Sequence, residues 1–234
     1  MTKAKVVASL KGNADPEKAA FYPRFFKAGP GEYGEGDRFL GVTVPHQRRV
    51  ARKFRELPLK EIAKLLDDRR HECRLTGLLI LVEQYQRGDD TARAKVAQFY
   101  LDKLDRVNNW DLVDLSAHKI LGPHLEHGNR KMLDELAATD HLWRQRVAII
   151  STFHFIRQDD FRDTKRIALA LINHEHDLIH KAVGWMLREM GKRDRGELER
   201  FLQRRYKKMP RTMLRYAIEK FPERQRKKYL EGKV

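Results

Sequence analysis

The chain has 234 residues and a net charge of +16, from 49 lysines and arginines against 33 acidic residues. It is long enough to bury a sizeable core, and its positive field favours a polyanionic partner. A single cysteine, Cys73, excludes an internal disulfide and a cysteine-rich zinc cluster, so a reducing compartment, the cytoplasm, is expected. No apolar run suits a signal peptide or a membrane span, since "LTGLLILV" at 75–82 is too short to cross a bilayer, and no membrane partner is expected.

Apolar residues recur at helical spacing while alternating strand-like runs are missing, which predicts an all-α protein. The expected helices are a short one at 2–11, then 16–27, 45–56, 58–67, 70–87, 90–106, 110–121, 129–138, 142–157, 161–173, 176–191, 195–207 and 210–220. Pro16, Pro45, Pro58 and Pro210 stand where helices should begin, and Gly88, Gly122, Gly128 and Gly191 where they should end. Between the second and third helices lies "KAGPGEYGEGDRFLGVT" (27–43), whose glycines match neither a Walker A loop nor a dinucleotide fingerprint. Glu32, Glu35 and Asp37 would repel phosphate, so a surface loop is expected there. No linker or compositional break divides the chain, and a single domain over 1–234 is expected.

A weak repeat emerges when "LWRQRVAIISTF" (142–153), "LIHKAVGWMLRE" (178–189) and "TMLRYAIEKF" (212–221) are aligned. A basic residue opens each apolar stripe: Arg146, Lys181 and Arg215, separated by 35 and 34 positions. "RLTGLLILVEQY" (74–85) and "WDLVDLSAHKIL" (110–121) read as more diverged copies. Helix pairs at this period predict an α-α superhelix of the HEAT or TPR kind, a solenoid whose inner helices line a concave basic groove. The basic excess is concentrated at the C-terminal end, where residues 188–234 hold 17 basic and 7 acidic side chains. Such a flank suits phosphate contacts, with a lysine-rich solvated surface as the plainer reading.

In "NNWDLVD" (108–114), Trp110 and Asp114 stand four apart, so on a helix they share a face. By themselves they suit either a core tryptophan beside a solvated aspartate or an indole wall beside a carboxylate in a groove. The remaining tryptophans, Trp143 and Trp185, fall in the repeat's inner helices near Arg146 and Lys181. "NNWDLVD", "LWRQRVA" and "KAVGWMLRE", together with "FLGVTVPHQRR" (39–49), resemble the signature stretches of the AlkD family of DNA alkylation-repair glycosylases over most of the chain. Phe25 and Thr43-Val44 stand where that family often has a tyrosine or polar residues, and the loop at 28–38 is longer and more acidic than its usual one.

The resemblance implies a HEAT-like solenoid that excises cationic alkylated purines, such as 3-methyladenine and 7-methylguanine, from double-stranded DNA without extruding the base. It makes Asp114 similar to the catalytic aspartate, Trp110 and Trp185 to the aromatic pair beside the scissile sugar, and Arg146 to the essential groove arginine. Lys181, Arg215, Arg48, Arg49 and Arg52 are the further candidates for phosphate contacts, with Trp143 in the same layer. For Arg215 an ordinary solvated side chain remains equally open.

The residue types suit the chemistry. A carboxylate can stabilise an oxocarbenium-like sugar and orient water, and a cationic purine departs neutral without the second carboxyl that ordinary glycosidases use. No metal or cofactor is expected: His176 and His180 form an H-x-x-x-H pair that lacks the glutamate of H-E-x-x-H and a third ligand, while His118, His124 and His127 have no ligand spacing. A monomer is expected. Two rival readings are a non-catalytic helical-repeat module gripping duplex or branched DNA, and a HEAT-type protein-interaction scaffold. Asp114 discriminates, because a phosphate binder gains nothing from an anion in its groove and a scaffold has no need of flanking indoles.

Overall fold

Prolines stand at helix starts, as the sequence pattern predicts, and short polar side chains cap several helices. Asp15 accepts a hydrogen bond from the Lys18 amide ahead of Pro16, and Asp89 and Asp194 cap their helices through the amides of Ala92 and Glu197. The computed structural model describes residues 1–126 and 128–234, and His127 lies outside them. Among the described residues the chain is all-α. Its helices are α1 (Lys3–Lys11), α2 (Pro16–Phe25), α3 (Val44–Lys53), α4 (Leu59–Leu66), α5 (His71–Arg87), α6 (Asp90–Asp102), α7 (Trp110–His124), α8 (Met132–Ala137), α9 (Leu142–Ser151), α10 (Phe153–Ile156), α11 (Arg162–Ala170), α12 (Asp177–Arg193), α13 (Arg195–Gln203), α14 (Arg211–Ala217) and α15 (Glu223–Glu231). A single 3-10 turn follows α6 at Leu104–Arg106, and the only β-type pairing among the described residues is an isolated bridge between Arg38 and Arg70. No described helix is long and apolar enough to cross a membrane.

The chain forms two compact units, Met1–Ile120 and Leu121–Val234, whose boundary in sequence falls within α7. In the first unit α5 is the central element. Its apolar side chains point in nearly every direction, and α3, α4 and α6 pack against it to bury Leu75 through Val82. A buried hydroxyl pair ties α6 to α7: the Tyr100 and Ser116 oxygens lie 3.0 Å apart, and the Ser116 hydroxyl also donates to the Leu112 carbonyl. In the second unit α9 and α14 both pack on α12, while α8 packs on α9, and α11 and α13 on α12. The three repeat copies at 142–153, 178–189 and 212–221 thus fall on neighbouring helices.

Several features depart from the sequence pattern, among them Gly191, which lies inside α12 rather than at its end. The helix expected at 142–157 breaks at Thr152, whose hydroxyl donates to the Ile149 carbonyl at 2.7 Å and competes with the helical ladder. The helix expected at 90–106 ends at Asp102 and tightens into the 3-10 turn. Gly122 lies inside α7 rather than at its end, and a Cβ there would meet the Ser151 carbonyl at 2.7 Å, so it serves close helix packing. Finally, α15 carries too few apolar residues to announce itself. It is held by Tyr229, whose buried ring meets those of Tyr206 and Phe221 at 5.3 and 5.7 Å.

α12 and α14 approach closely at Gly184, where a Cβ would come within 2.5 Å of both the Met213 carbonyl and the Tyr216 Cβ. Backbone on one side cannot yield to an added methyl. Gly184→Ala should therefore destabilise the fold by about 1–3 kcal/mol through overpacking. Thermal or urea unfolding measures this, and an unchanged midpoint would show that α14 shifts freely.

Candidate active site and nucleic-acid interface

In the first unit, the start of α7 is anchored by a buried ionic cluster that the sequence pattern did not expose. His71, at the start of α5, is almost wholly buried, with Nε2 2.8 Å from Asp111 Oδ2 and Nδ1 3.0 Å from Asp37 Oδ2. Arg74, one turn along α5, donates to both oxygens of Asp37 at 2.7 and 2.6 Å. Burial alone would push the His71 pKa down, but the charge of Asp111 and the hydrogen bonds to Asp111 and Asp37 override it and raise the imidazole to about 9. Burial likewise acts to raise Asp37, yet hydrogen bonding to His71 and Arg74 holds its pKa below the usual carboxylate value. The other oxygen of Asp111, Oδ1, is buried without a hydrogen-bond partner, so the imidazolium is what compensates that carboxylate.

The glycine-rich stretch 27–43 lies largely at the surface over 27–36, as its composition suggests, but from Asp37 onward it is anchored to the interior. Asp37 is drawn inside by His71 and Arg74, and the buried Glu72 carboxylate accepts the backbone amides of Leu40, Gly41 and Val42 at 2.8–3.2 Å. Gly41 has φ +77° and lies where a Cβ would clash with the Asp15 carbonyl at 2.0 Å, so no other residue fits. Glu32 and Glu35 accept the amides of Gly29 and Gly31 and close the loop's own turns. The charged run "HECR" heading an otherwise apolar helix was the available signal for this anchoring.

On this base stands an aromatic stack leading to Trp110. The Phe26 ring lies 4.4 Å from the His71 imidazole and 5.4 Å from Phe39, and Trp110 stacks on Phe26 at 5.5 Å and 18°. Phe25 meets the indole edge-on at 5.6 Å and is itself 50% exposed. Trp110 is therefore fixed in plane while remaining half-buried. Asp114, one turn further along α7, is also half-buried, so both side chains stand on one face of the helix.

In the second unit, Trp185 is half-buried and its Nε1–H donates to Glu189 at 3.0 Å. Arg146 is only 4% exposed and donates to the Leu178 carbonyl at 2.5 Å, tying α9 to α12. Trp143 is buried as well, so its indole packs inside the unit rather than lining a surface. Lys181 is half-buried and pairs with Asp177 at 2.6 Å, whereas Arg215 is exposed. Back in the first unit, Arg49 and Arg52 on α3 are exposed and Arg48 is half-buried. The basic residues opening the repeats thus grade from interior braces to surface cations, with Arg74 and Arg146 at the buried end.

The histidines at 174–180 are used locally. His174 Nδ1 accepts the His176 amide, His176 Nδ1 accepts the Leu178 amide at 3.1 Å, and His180 Nε2 hydrogen-bonds the His174 carbonyl. Among the described residues no group of three or more histidine, cysteine or acidic side chains is placed to hold a metal ion.

Residues 6–221 match the protein family described as DNA alkylation repair enzyme. The fold is similar to a solved structure described as a predicted DNA alkylation repair enzyme from Enterococcus faecalis, with a TM-score of 0.67 and 16% identity, covering 90% of this chain and 98% of that one. A comparison with curated proteins finds no match.

The raised His71 pKa has a direct consequence for stability. An unfolded imidazole releases its proton near 6.5 and the folded one near 9, so the stabilisation is complete below about pH 6.5 and is lost as the pH rises through 9. Urea unfolding across this window should show a falling stability in the wild type. His71→Gln should be less stable at the acid end and nearly flat over the same range; a parallel slope in both proteins would place the titration elsewhere.

Proposed function

The chain belongs to the DNA alkylation repair enzyme family, and from that premise we propose that it is a monofunctional DNA glycosylase of the AlkD kind. Its substrates are cationic N3- or N7-alkylated purines, 3-methyladenine and 7-methylguanine, in duplex DNA. The observation that carries this reading is the carboxylate–indole pair on one face of α7, Asp114 and Trp110, both half-buried, with the indole seated on the Phe26 ring. In this reading the helices form a HEAT-like solenoid, and α9, α12 and α14 present its basic inner surface to the duplex.

Each residue has a physical role. Asp114 stabilises positive charge on the sugar as the N-glycosidic bond breaks and orients the water that attacks the anomeric carbon. The bond's electron pair leaves with the purine, which departs neutral because alkylation had already made it cationic, so no general acid is needed. Trp110 and Trp185 offer π faces to the cationic nucleoside, an attraction of about 0.5–2 kcal/mol each. Arg215, Arg49 and Arg52 are exposed and suited to phosphate contacts, with Lys181 and Arg48 partly so. Arg146, braced by the Leu178 carbonyl, acts from a fixed position as much as through its charge. No metal, cofactor or second subunit enters the scheme.

Asp114→Asn should abolish release of 7-methylguanine from methylated duplex while leaving DNA affinity unchanged or slightly improved, since an anion is removed from a basic surface. Single-turnover base release beside a binding titration tests this. Wild-type excision by the variant would remove Asp114 from the mechanism, and a wild type that binds duplex without releasing base would favour the non-catalytic module.

The absence of an assigned acid also sets selectivity. Across otherwise identical duplexes, 3-methyladenine and 7-methylguanine should be released at appreciable rates, and uracil and hypoxanthine, neutral bases that would have to depart as anions without a proton donor, at negligible ones. Efficient uracil release would demand a proton donor and overturn the scheme.

A further inference from the structure

The second aromatic of the proposed site is not held as the first is. Trp110 rests on a stack of rings, whereas Trp185 is held through its polar edge: Nε1–H donates to Glu189 Oε1 at 3.0 Å, one helical turn along α12. The Phe153 ring lies beside the indole at 5.9 Å and 51°, with the Arg157 guanidinium 4.4 Å above that phenyl ring. Glu189 is itself held in place. Lys192 Nζ lies 2.7 and 3.0 Å from its two oxygens, and Arg188 Nε is 3.5 Å from Oε1 while the same guanidinium pairs with Glu219. The carboxylate is largely buried, at 13% exposure; of its two cationic neighbours, Lys192 is well exposed and screened by solvent, while the less exposed Arg188 is shared with Glu219.

An indole whose N–H is bound to an anion differs from one bound to water. The hydrogen bond polarises the ring toward greater π-electron density, and the face of an electron-rich indole attracts a cation more strongly. We propose that Glu189 is a positioning residue for Trp185, fixing the plane of the indole and, as an anion on its N–H, strengthening its face as a seat for a cationic nucleoside. The inference rests on the reading of Trp185 as an aromatic beside the scissile sugar. It gives Glu189 a function that its place among surface ion pairs on α12 does not suggest.

Two variants separate charge from hydrogen bonding. Glu189→Gln keeps an acceptor for the indole N–H and removes the charge; Glu189→Leu removes both. In proton–nitrogen NMR spectra, the Trp185 indole signal, identified by its loss in Trp185→Phe, should move upfield in Glu189→Gln and further in Glu189→Leu, with the Trp110 and Trp143 signals unmoved. The wild type should bind a duplex carrying a cationic azasugar more tightly than one carrying a neutral tetrahydrofuran abasic site. Glu189→Gln should lose about three- to tenfold of that preference, and a similar factor in single-turnover release of 7-methylguanine, with affinity for undamaged duplex unchanged or slightly improved. Wild-type preference and rate in Glu189→Gln, or an unmoved indole signal, would overturn the inference. Preference for the cationic duplex that depends on Glu189, in a wild type that releases no base, would keep the inference and sink the glycosylase reading alone.

Discussion

The first unit depends on a proton held where water cannot reach it. His71 sits between Asp37 and Asp111, and neither carboxylate could remain buried and ionised without that imidazolium and the adjoining Arg74. Removing one partner from a buried ionic group typically costs on the order of 3–5 kcal/mol, because the survivor is left uncompensated. The two aspartates belong to different segments, one to the glycine-rich stretch and one to the first turn of α7, while both cations belong to α5. The central helix therefore holds the loop and the site-bearing helix in one register.

That register reaches the candidate site through apolar contacts. Phe26 lies against the imidazolium, and Trp110 lies on Phe26, so the indole inherits its plane from the ionic cluster. Preorganisation of this kind is what electrostatic catalysis requires, since a group that must rearrange to meet developing charge loses much of its effect. The second unit is braced by different contacts. A buried guanidinium on α9 grips a carbonyl at the start of α12, a glycine admits α14 to close contact, and a carboxylate holds the indole of Trp185 by its N–H.

The proposed chemistry is economical for a physical reason. A cationic alkylpurine has already done the leaving-group activation that other glycosidic substrates need from an acid, so the protein has only to stabilise positive charge on the sugar and hold water. In the proposed scheme a carboxylate beside an indole face, as on α7, matches that demand. A strongly basic surface matches the other one, which is to hold a polyanion against a site that itself contains an anion.

The helical class, most helix starts and the repeat at 142–221 were determined by the sequence itself, because apolar spacing and proline placement are local properties that survive without knowledge of the partner. The i, i+4 relation of Trp110 and Asp114 was legible for the same reason. Tertiary structure alone decided what faces each side chain. The Asp37 carboxylate and the guanidinium groups of Arg74 and Arg146 are nevertheless withdrawn from solvent, because a partner of each comes from a segment about thirty positions or more away. Asp111, adjacent to Trp110, gave no sign of its pairing with His71 forty residues earlier. The C-terminal helix α15 escaped detection because one buried tyrosine, and not an apolar stripe, secures it. Charge is written in the sequence, but whether a charge meets solvent or a counter-charge is settled only when distant segments are brought together.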